Sequence, residues 1–150
     1  MVKKNQFFRR KGEKRNKFIL HIKTTTKNGM LIWMNQGPTL QGDYLSLTIT
    51  EGKPELSFNL GKQTRPVRIT SKVISSILFI QCSKIAFYFL LPIFYSDFQT
   101  RIDDGKWHRL RILRKRRIGI LQVDKSKPSR GRSEEGASML NTDGKIWFGM

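Results

Sequence analysis

A dense run of cations is the first group of side chains in this sequence that could do chemistry. Residues 109–117 read RLRILRKRR, so two arginines alternate with apolar residues before four consecutive cations. This alternation is typical of a β-strand with its arginines on one face, and the four cations then fall at a hairpin tip. Arg forks and Lys ammonium groups match sulfate well. We therefore predict a strip that binds a sulfated polyanion, with these members: Arg109, Arg111, Arg114, Lys115, Arg116 and Arg117.

The charge of the whole chain supports a polyanionic partner. Lys and Arg number 29 against 11 Asp and Glu, a formal net charge of +18. Such an excess predicts attraction to nucleic acid, acidic lipid surfaces or sulfated polysaccharide. The sequence has no stacking platform, helix-turn-helix pattern or zinc-finger spacing, so nucleic acid ranks lower. An ordinary solvated charged face remains the alternative.

Carboxylates are too scarce and too scattered for catalysis. A jelly-roll glycosidase needs two carboxylates facing each other across a cleft. Glu134 and Glu135 are instead neighbours in a Ser/Gly-rich loop, and neither His21 nor His108 lies in a nucleophile pattern. We therefore predict a protein that is not an enzyme.

The elements that would position these residues are antiparallel strands. Period-two alternation recurs between Gly, Asn, Asp and Pro, with clear hairpins over residues 43–60 and 104–123. This pattern predicts an all-β antiparallel sandwich of jelly-roll type, formed by one domain over residues 18–150. Residues 1–17 are basic, and they predict a disordered arm in preference to the alternative of a divergent first strand. They lack the apolar stretch of a secretory signal, so an export signal would lie in further sequence.

The apolar segment between the two hairpins is out of character with the rest of the chain. We interpret residues 73–99 as a non-native insert. The segment begins with Val, whose codons start GT. It ends with Gln, which the codon CAG can encode, and the residues before this Gln have pyrimidine-rich codons. A GT start, a pyrimidine tract and an AG end are the marks of an intron, so we interpret the segment as a retained intron. A membrane span over residues 74–95 is the alternative, but Lys84 and Pro92 count against it. The lone Cys82 lies inside this segment and has no partner for an internal disulfide.

Three blocks in order, NGMLIW, GDYLSL with the returning FNLG, and DGKWHR, resemble the laminin G-like domain. The resemblance is nearest to the copies in agrin, perlecan and neurexins, and it runs from Phe18 to Gly149 apart from the insert. It implies a β-sandwich whose closing strands follow the sequence given, so that this domain is C-terminally incomplete. It also implies an extracellular module of a larger basement-membrane or cell-surface protein, with heparan sulfate as the natural polyanion.

The resemblance further implies a weak calcium site on the rim of the sandwich. Its ligands would be the side chains of Asp43 and Asn141 and the carbonyls of Leu60 and Met139, with Asp143 as a possible substitute. Oxygen ligands of this kind suit Ca²⁺. Alternatively, Asp43 merely starts a strand and Asn141 caps a turn.

Partners follow from the same resemblance. Related copies use calcium rims to engage dystroglycan-like receptor glycoproteins, and we extend that expectation to this chain. The remaining alternatives are a basic intracellular nucleic-acid binder and a membrane-anchored fragment.

Overall fold

Antiparallel strands account for all the regular structure in the described part of the chain. The computed structural model describes residues 12–37, 42–61, 65–71 and 100–149. Within them the strands are β1 (Arg15–Lys23), β2 (Gly29–Asn35), β3 (Tyr44–Thr50), β4 (Lys53–Asn59), β5 (Val67–Thr70), β6 (Trp107–Lys115), β7 (Ile118–Val123), β8 (Ser129–Arg132) and β9 (Trp147–Phe148). They form a four-stranded sheet in the order β1-β6-β7-β8 and a five-stranded sheet in the order β5-β4-β3-β2-β9. The predicted all-β sandwich is confirmed.

The core lies between the two sheets because each strand alternates its side chains. In β6, for example, Leu110 and Ile112 are fully buried while Arg109 and Arg111 are exposed. The five-stranded sheet contributes buried residues in the same alternation from β3 and β4: Leu45, Leu47, Ile49, Leu56 and Phe58.

Two glycines allow the sheets to approach closely. Gly119 on β7 pairs with Gly131 on β8, and both lie on the inner face. A Cβ on Gly119 would lie 2.5 Å from a ring carbon of Phe58, and one on Gly131 would lie 2.7 Å from Ile69. Any larger residue at either position would force the opposite sheet outward.

The two predicted hairpins form as expected. Glu51 and Gly52 join β3 to β4 with φ angles of 52° and 78°, the left-handed conformation of a tight hairpin turn. Arg116, at the tip between β6 and β7, also has a positive φ of 52°. Hairpins of this kind depend on adjacent residues, which is why the sequence pattern predicts them well.

The N-terminal boundary differs from the prediction. β1 begins at Arg15, inside the segment predicted to be a disordered arm, and Glu13 already forms a β-bridge with Leu140. Residues 12–17 therefore belong to the domain, because their backbone pairs with β6 and with the loop before β9. Residues 1–11 lie outside the described part.

The apolar segment that we interpret as an insert also lies outside the described residues, and so does the candidate span at residues 74–95. Its flanks are close together, since the Ser71 Oγ donates to the Thr100 carbonyl at 3.3 Å. Where the chain is described, no helix is long and apolar enough to cross a membrane.

Candidate functional site

The outer face of the four-stranded sheet collects cations from three strands. Partners that lie opposite each other in antiparallel strands share a face. Arg15 therefore lies beside Lys115, Ile118 and Arg132 in one row, and the next row holds Lys17 and Arg130. We call the following residues the basic face: Arg15, Lys17, Lys23, Arg109, Arg111, Lys115, Arg130 and Arg132.

No acidic residue interrupts the basic face along the four strands. The other outward positions of these strands are occupied by Ile19, His21, Trp107, Leu113, Ile118, Ile120 and Gln122. Trp107 is 69% exposed and lies opposite Lys23, so an aromatic ring flanks the cations at the end away from the hairpin tip. Sequence reasoning identified the β6 cations; it missed the contributions of β8 and placed Arg15 and Lys17 of β1 in an arm.

A surface cavity of about 610 Å³ opens where the basic face meets the β6–β7 hairpin tip. Its lining is Lys115, Arg116, Arg117, Ile118, Arg132 and Ser138. The Glu135 carboxylate lies 3.7 Å from the Arg117 guanidinium, but its side chain is 95% exposed, so this ion pair is weak. The cavity therefore keeps a strong positive potential.

Arg114 does not belong to the strip that the sequence predicted. Its side chain is fully buried, on the same face of β6 as Leu110 and Ile112. Its guanidinium donates to the Asn16 side-chain oxygen at 2.8 Å, to the Arg116 carbonyl at 2.8 Å and to the Glu13 carbonyl at 2.6 Å. Arg114 thus ties the hairpin tip to the start of β1, and a sulfate group cannot reach it.

Burial lowers the pKa of the Arg114 guanidinium to about 10, and attraction to Glu13 and Asp43 only partly offsets this effect. The group remains a cation at neutral pH. Since a buried charge is costly unless hydrogen-bonded, its three acceptors explain why the cation is retained. Its role is to position Arg116 and its neighbours.

The predicted rim residues do come together at one end of the sandwich. Asp43 precedes β3, where the ends of β2 and β4 converge, since Tyr44 pairs with both Asn35 and Asn59. The Asp43 Oδ2 accepts the Asn141 backbone N–H at 2.6 Å and its side-chain amide at 3.1 Å.

The two residues predicted to supply carbonyl ligands adjoin the residues of this contact. Leu60 is buried directly after β4, and the following Gly61 lies so close to Asp43 that a Cβ on it would collide with Oδ1. Met139 is two residues before Asn141, and its sulfur lies near Gly12. The Asp143 carboxylate accepts the Lys145 N–H at 3.0 Å in a local turn.

The chemistry of these donors fits calcium. A carboxylate, an amide oxygen and carbonyls make an all-oxygen set with a low ligand charge. Asn141 turns its amide nitrogen toward Asp43 and its Oδ1 toward Gly12, so calcium binding requires this amide to rotate. The described residues contain no group of three or more His, Cys, Asp or Glu that could hold a metal. Within the predicted set of Asp43, Leu60, Met139 and Asn141, Asp43 would supply the charged side chain.

Sequence reasoning missed a histidine held between two carboxylates. The His108 ring makes hydrogen bonds to Asp124 at 2.8 Å and to Asp104 at 2.9 Å, while the other Asp124 oxygen accepts the Arg109 N–H. Burial disfavours the charged ring, but the two carboxylates outweigh it and raise the pKa of His108. Hydrogen bonding to His108 lowers the pKa of Asp104. The signal in the sequence was DDGKWH, but Asp124 comes from a different turn.

Comparison with known proteins identifies the family. The laminin G domain profile matches residues 22–150, and the chain belongs to the laminin G domain family, whose members are binding modules of matrix and cell-surface proteins. The predicted resemblance is therefore confirmed.

Among individual relatives, the basement membrane proteoglycan of Caenorhabditis elegans is 31% identical over 140 residues, which are 92% of this chain and 3% of that protein. Human pikachurin is 24% identical over 136 residues, 90% of this chain and 10% of pikachurin. The structure of mouse laminin alpha1 chain domains LG4-5 matches with a TM-score of 0.67 at 19% identity, covering 95% of this chain and 30% of that one. The chain thus spans a small part of the curated relatives that it matches.

Proposed function

We propose that this domain is a non-catalytic extracellular recognition module that binds sulfated glycans of the heparan sulfate type through the basic face and the tip cavity. The observation that carries the proposal is the set of exposed cations on three strands of the four-stranded sheet, with no acidic residue among them. The family supports a matrix or cell-surface setting.

The spacing of the cations suits a linear, densely charged chain. Alternate residues on a strand are about 6.7 Å apart and neighbouring strands are about 4.8 Å apart. The basic face is therefore a grid of cations separated by distances comparable to the Debye length at physiological salt, about 8 Å, so that their fields add. A polyanion with many sulfates engages several of them at once.

Heparin affinity tests this proposal with two variants of equal charge. The first replaces Lys115, Arg116, Arg117 and Arg132 of the tip cavity with Ala. The second replaces Lys27, Lys53, Arg65 and Lys145, which lie off the basic face, with Ala. Exposed charge contacts contribute about 0.2 to 1 kcal/mol each, so we expect the loss of four of them in the first variant to raise the heparin Kd by about fourfold or more.

The second variant should change the Kd much less. Equal weakening by the two variants would show that only net charge matters, and the proposed site would be wrong. Arg114 is left in place because its loss would unfold the tip rather than remove a surface cation.

We also propose weak Ca²⁺ binding at the rim, with Asp43 and Asn141 as side-chain ligands and the Leu60 and Met139 carbonyls completing the protein ligands. The direct Asp43–Asn141 contact supports it. Glycoprotein receptors of the dystroglycan type are the proposed partners of this rim.

Calcium titration followed by thermal unfolding checks the rim site. We expect Ca²⁺ to raise the Tm of the wild type at millimolar concentration, Asn141→Asp to respond at lower concentration, and Asp43→Asn to show no response, since ligand charge sets calcium affinity. A calcium response that survives Asp43→Asn would contradict this assignment.

A further inference from the structure

A second surface feature lies on the opposite side of the molecule, on the outer face of the five-stranded sheet. It is a groove of about 360 Å³ lined by Trp33, Tyr44, Ser46, Thr48, Glu55, Ser57, Asn59, Pro66 and Arg68. The register explains how it forms, because Trp33, Ser46, Ser57 and Arg68 face each other across four consecutive strands. Two small serines thus form a floor between an aromatic wall and an arginine wall.

The aromatic wall is well defined. The rings of Trp33 and Tyr44 stack with centroids 5.4 Å apart and an interplanar angle of 23°. Trp147 on β9 lies opposite Trp33 and extends this wall away from the groove. The Tyr44 hydroxyl is held 3.1 Å from the Ser57 Oγ, so the ring is anchored against the floor. An aromatic surface fixed in this way loses little entropy on binding.

The polar groups of the groove are mostly neutral. Ser46, Ser57, Thr48, Asn59 and Tyr44 contribute hydroxyl or amide groups that both donate and accept hydrogen bonds. The two charged members offset each other, since the Arg68 guanidinium lies 3.9 Å from the Glu55 carboxylate. The groove therefore lacks the excess of positive charge that distinguishes the basic face.

The position of the groove narrows its possible ligands. Its floor belongs to β3 and β4, which are central strands hydrogen-bonded on both sides. An extended peptide cannot add to them as a new strand, because that mode needs a free sheet edge. Recognition must therefore use the side chains that line the groove. Because the groove volume is at the lower end of the usual range for ligand sites, the ligand must also be small.

The geometry points to a binding site for a neutral saccharide. The faces of aromatic rings are electron-rich and attract the polarised C–H groups on one side of a sugar ring. The hydroxyls of Ser46, Thr48 and Ser57, with the Asn59 amide, exchange hydrogen bonds with the sugar hydroxyls. The domain thus carries two glycan sites on opposite sheets: a charged one for sulfated chains and a neutral one for uncharged sugars.

Saturation-transfer NMR on the full chain tests the site. The probes are the methyl glycosides of glucose, galactose, mannose and N-acetylglucosamine, each at millimolar concentration. Three variants accompany the wild type: Trp33→Leu removes the stacking surface, Ser57→Leu fills the floor, and Trp107→Leu removes an exposed Trp from the other sheet. Thermal unfolding verifies that each is folded, and the two groove variants act independently should one fail to fold.

We expect saturation transfer to at least one glycoside in the wild type, a decrease of about fivefold or more in both Trp33→Leu and Ser57→Leu, and no change in Trp107→Leu. Heparin should not reduce the signal. Absence of transfer to all four glycosides, transfer that persists in the folded groove variants, or loss of transfer in Trp107→Leu would each overturn the assignment.

Discussion

Arg116 shows at the scale of a single residue how stability and binding oppose each other. A non-glycine residue in the left-handed conformation costs roughly 1 to 2 kcal/mol, and Arg116 has a φ of 52° at the hairpin tip. We predict that Arg116→Gly raises the free energy of unfolding by about 1 kcal/mol, because glycine adopts this conformation without strain. The same change should weaken heparin binding through the loss of one cation.

Chemical denaturation and heparin elution check the two effects separately. Arg116→Asn is the matched control, because Asn tolerates the left-handed conformation and also lacks the charge. The two variants should therefore agree in heparin elution. If Arg116→Gly were less stable than the wild type, strain at the tip would not be the dominant effect.

The contrast between Arg111 and Arg114 shows which site residues a sequence can reveal. The alternation of Leu110 and Ile112 predicts an exposed Arg111 correctly, and when it is extended by one step it places Arg114 on the inner face. Because residues 114–117 are four consecutive cations, the sequence indicates an exposed hairpin tip there and not a continuation of this alternation. What makes burial possible is Asn16, whose side chain meets Arg114 from 98 residues away along the chain. No local pattern predicts such a partner.

The His108 clamp links two elements and should give the domain a pH-dependent stability. It joins the turn before β6, through Asp104, to the end of β7, through Asp124. Because the folded pKa of His108 is raised, its stabilising effect is complete below the unfolded value of about 6.5 and is lost as pH rises through the folded pKa. We predict that the Tm falls between pH 6 and pH 8.

Thermal unfolding of the wild type and His108→Gln over this pH range measures the effect. The difference between the two proteins should be largest near pH 6 and shrink toward pH 8. Below about pH 4 the wild type loses stability for a second reason, since the pKa values of Asp104 and Asp124 are lowered in the fold. Parallel curves for the two proteins from pH 6 to pH 8 would contradict a role for the protonated clamp.

At the scale of elements, the predictable part of the fold is the part made by neighbours in sequence. The β3–β4 and β6–β7 hairpins follow from alternation and turn residues. The pairing of β1 with β6 does not, because it joins Arg15 to Lys115, which lie far apart in the sequence. The start of β1 was missed for a related reason: its inner face begins with Asn16 rather than an apolar residue, so the strand lacks the usual signal there.

The molecule as a whole presents two chemically different surfaces on its two sheets. The proposed attraction of polyanions to the basic face would act over a distance set by ionic strength, whereas the proposed binding in the neutral groove would act only on contact. This division explains why the cation run of the sequence indicates the β6 part of the first surface, whereas nothing in the sequence indicates the second. A groove formed by two serines beside two stacked rings does not change the net charge, so the charge of the chain cannot reveal it.

Deletion of residues 73–99 is the prediction that belongs to the whole molecule. Ser71 and Thr100 lie in hydrogen-bond contact, so a direct connection through Lys72 can close the gap without moving β5 or the turn before β6. A shorter connection also costs less entropy to close, by about 0.6 kcal/mol for each halving of its length. We therefore expect the shortened chain to have an equal or higher Tm.

Its heparin retention should equal that of the full chain, because Lys84 and Asp97 cancel in charge and the basic face lies elsewhere. Thermal unfolding and heparin chromatography of both chains decide the matter, and a shortened chain that fails to fold would show that residues 73–99 are an integral part of the domain.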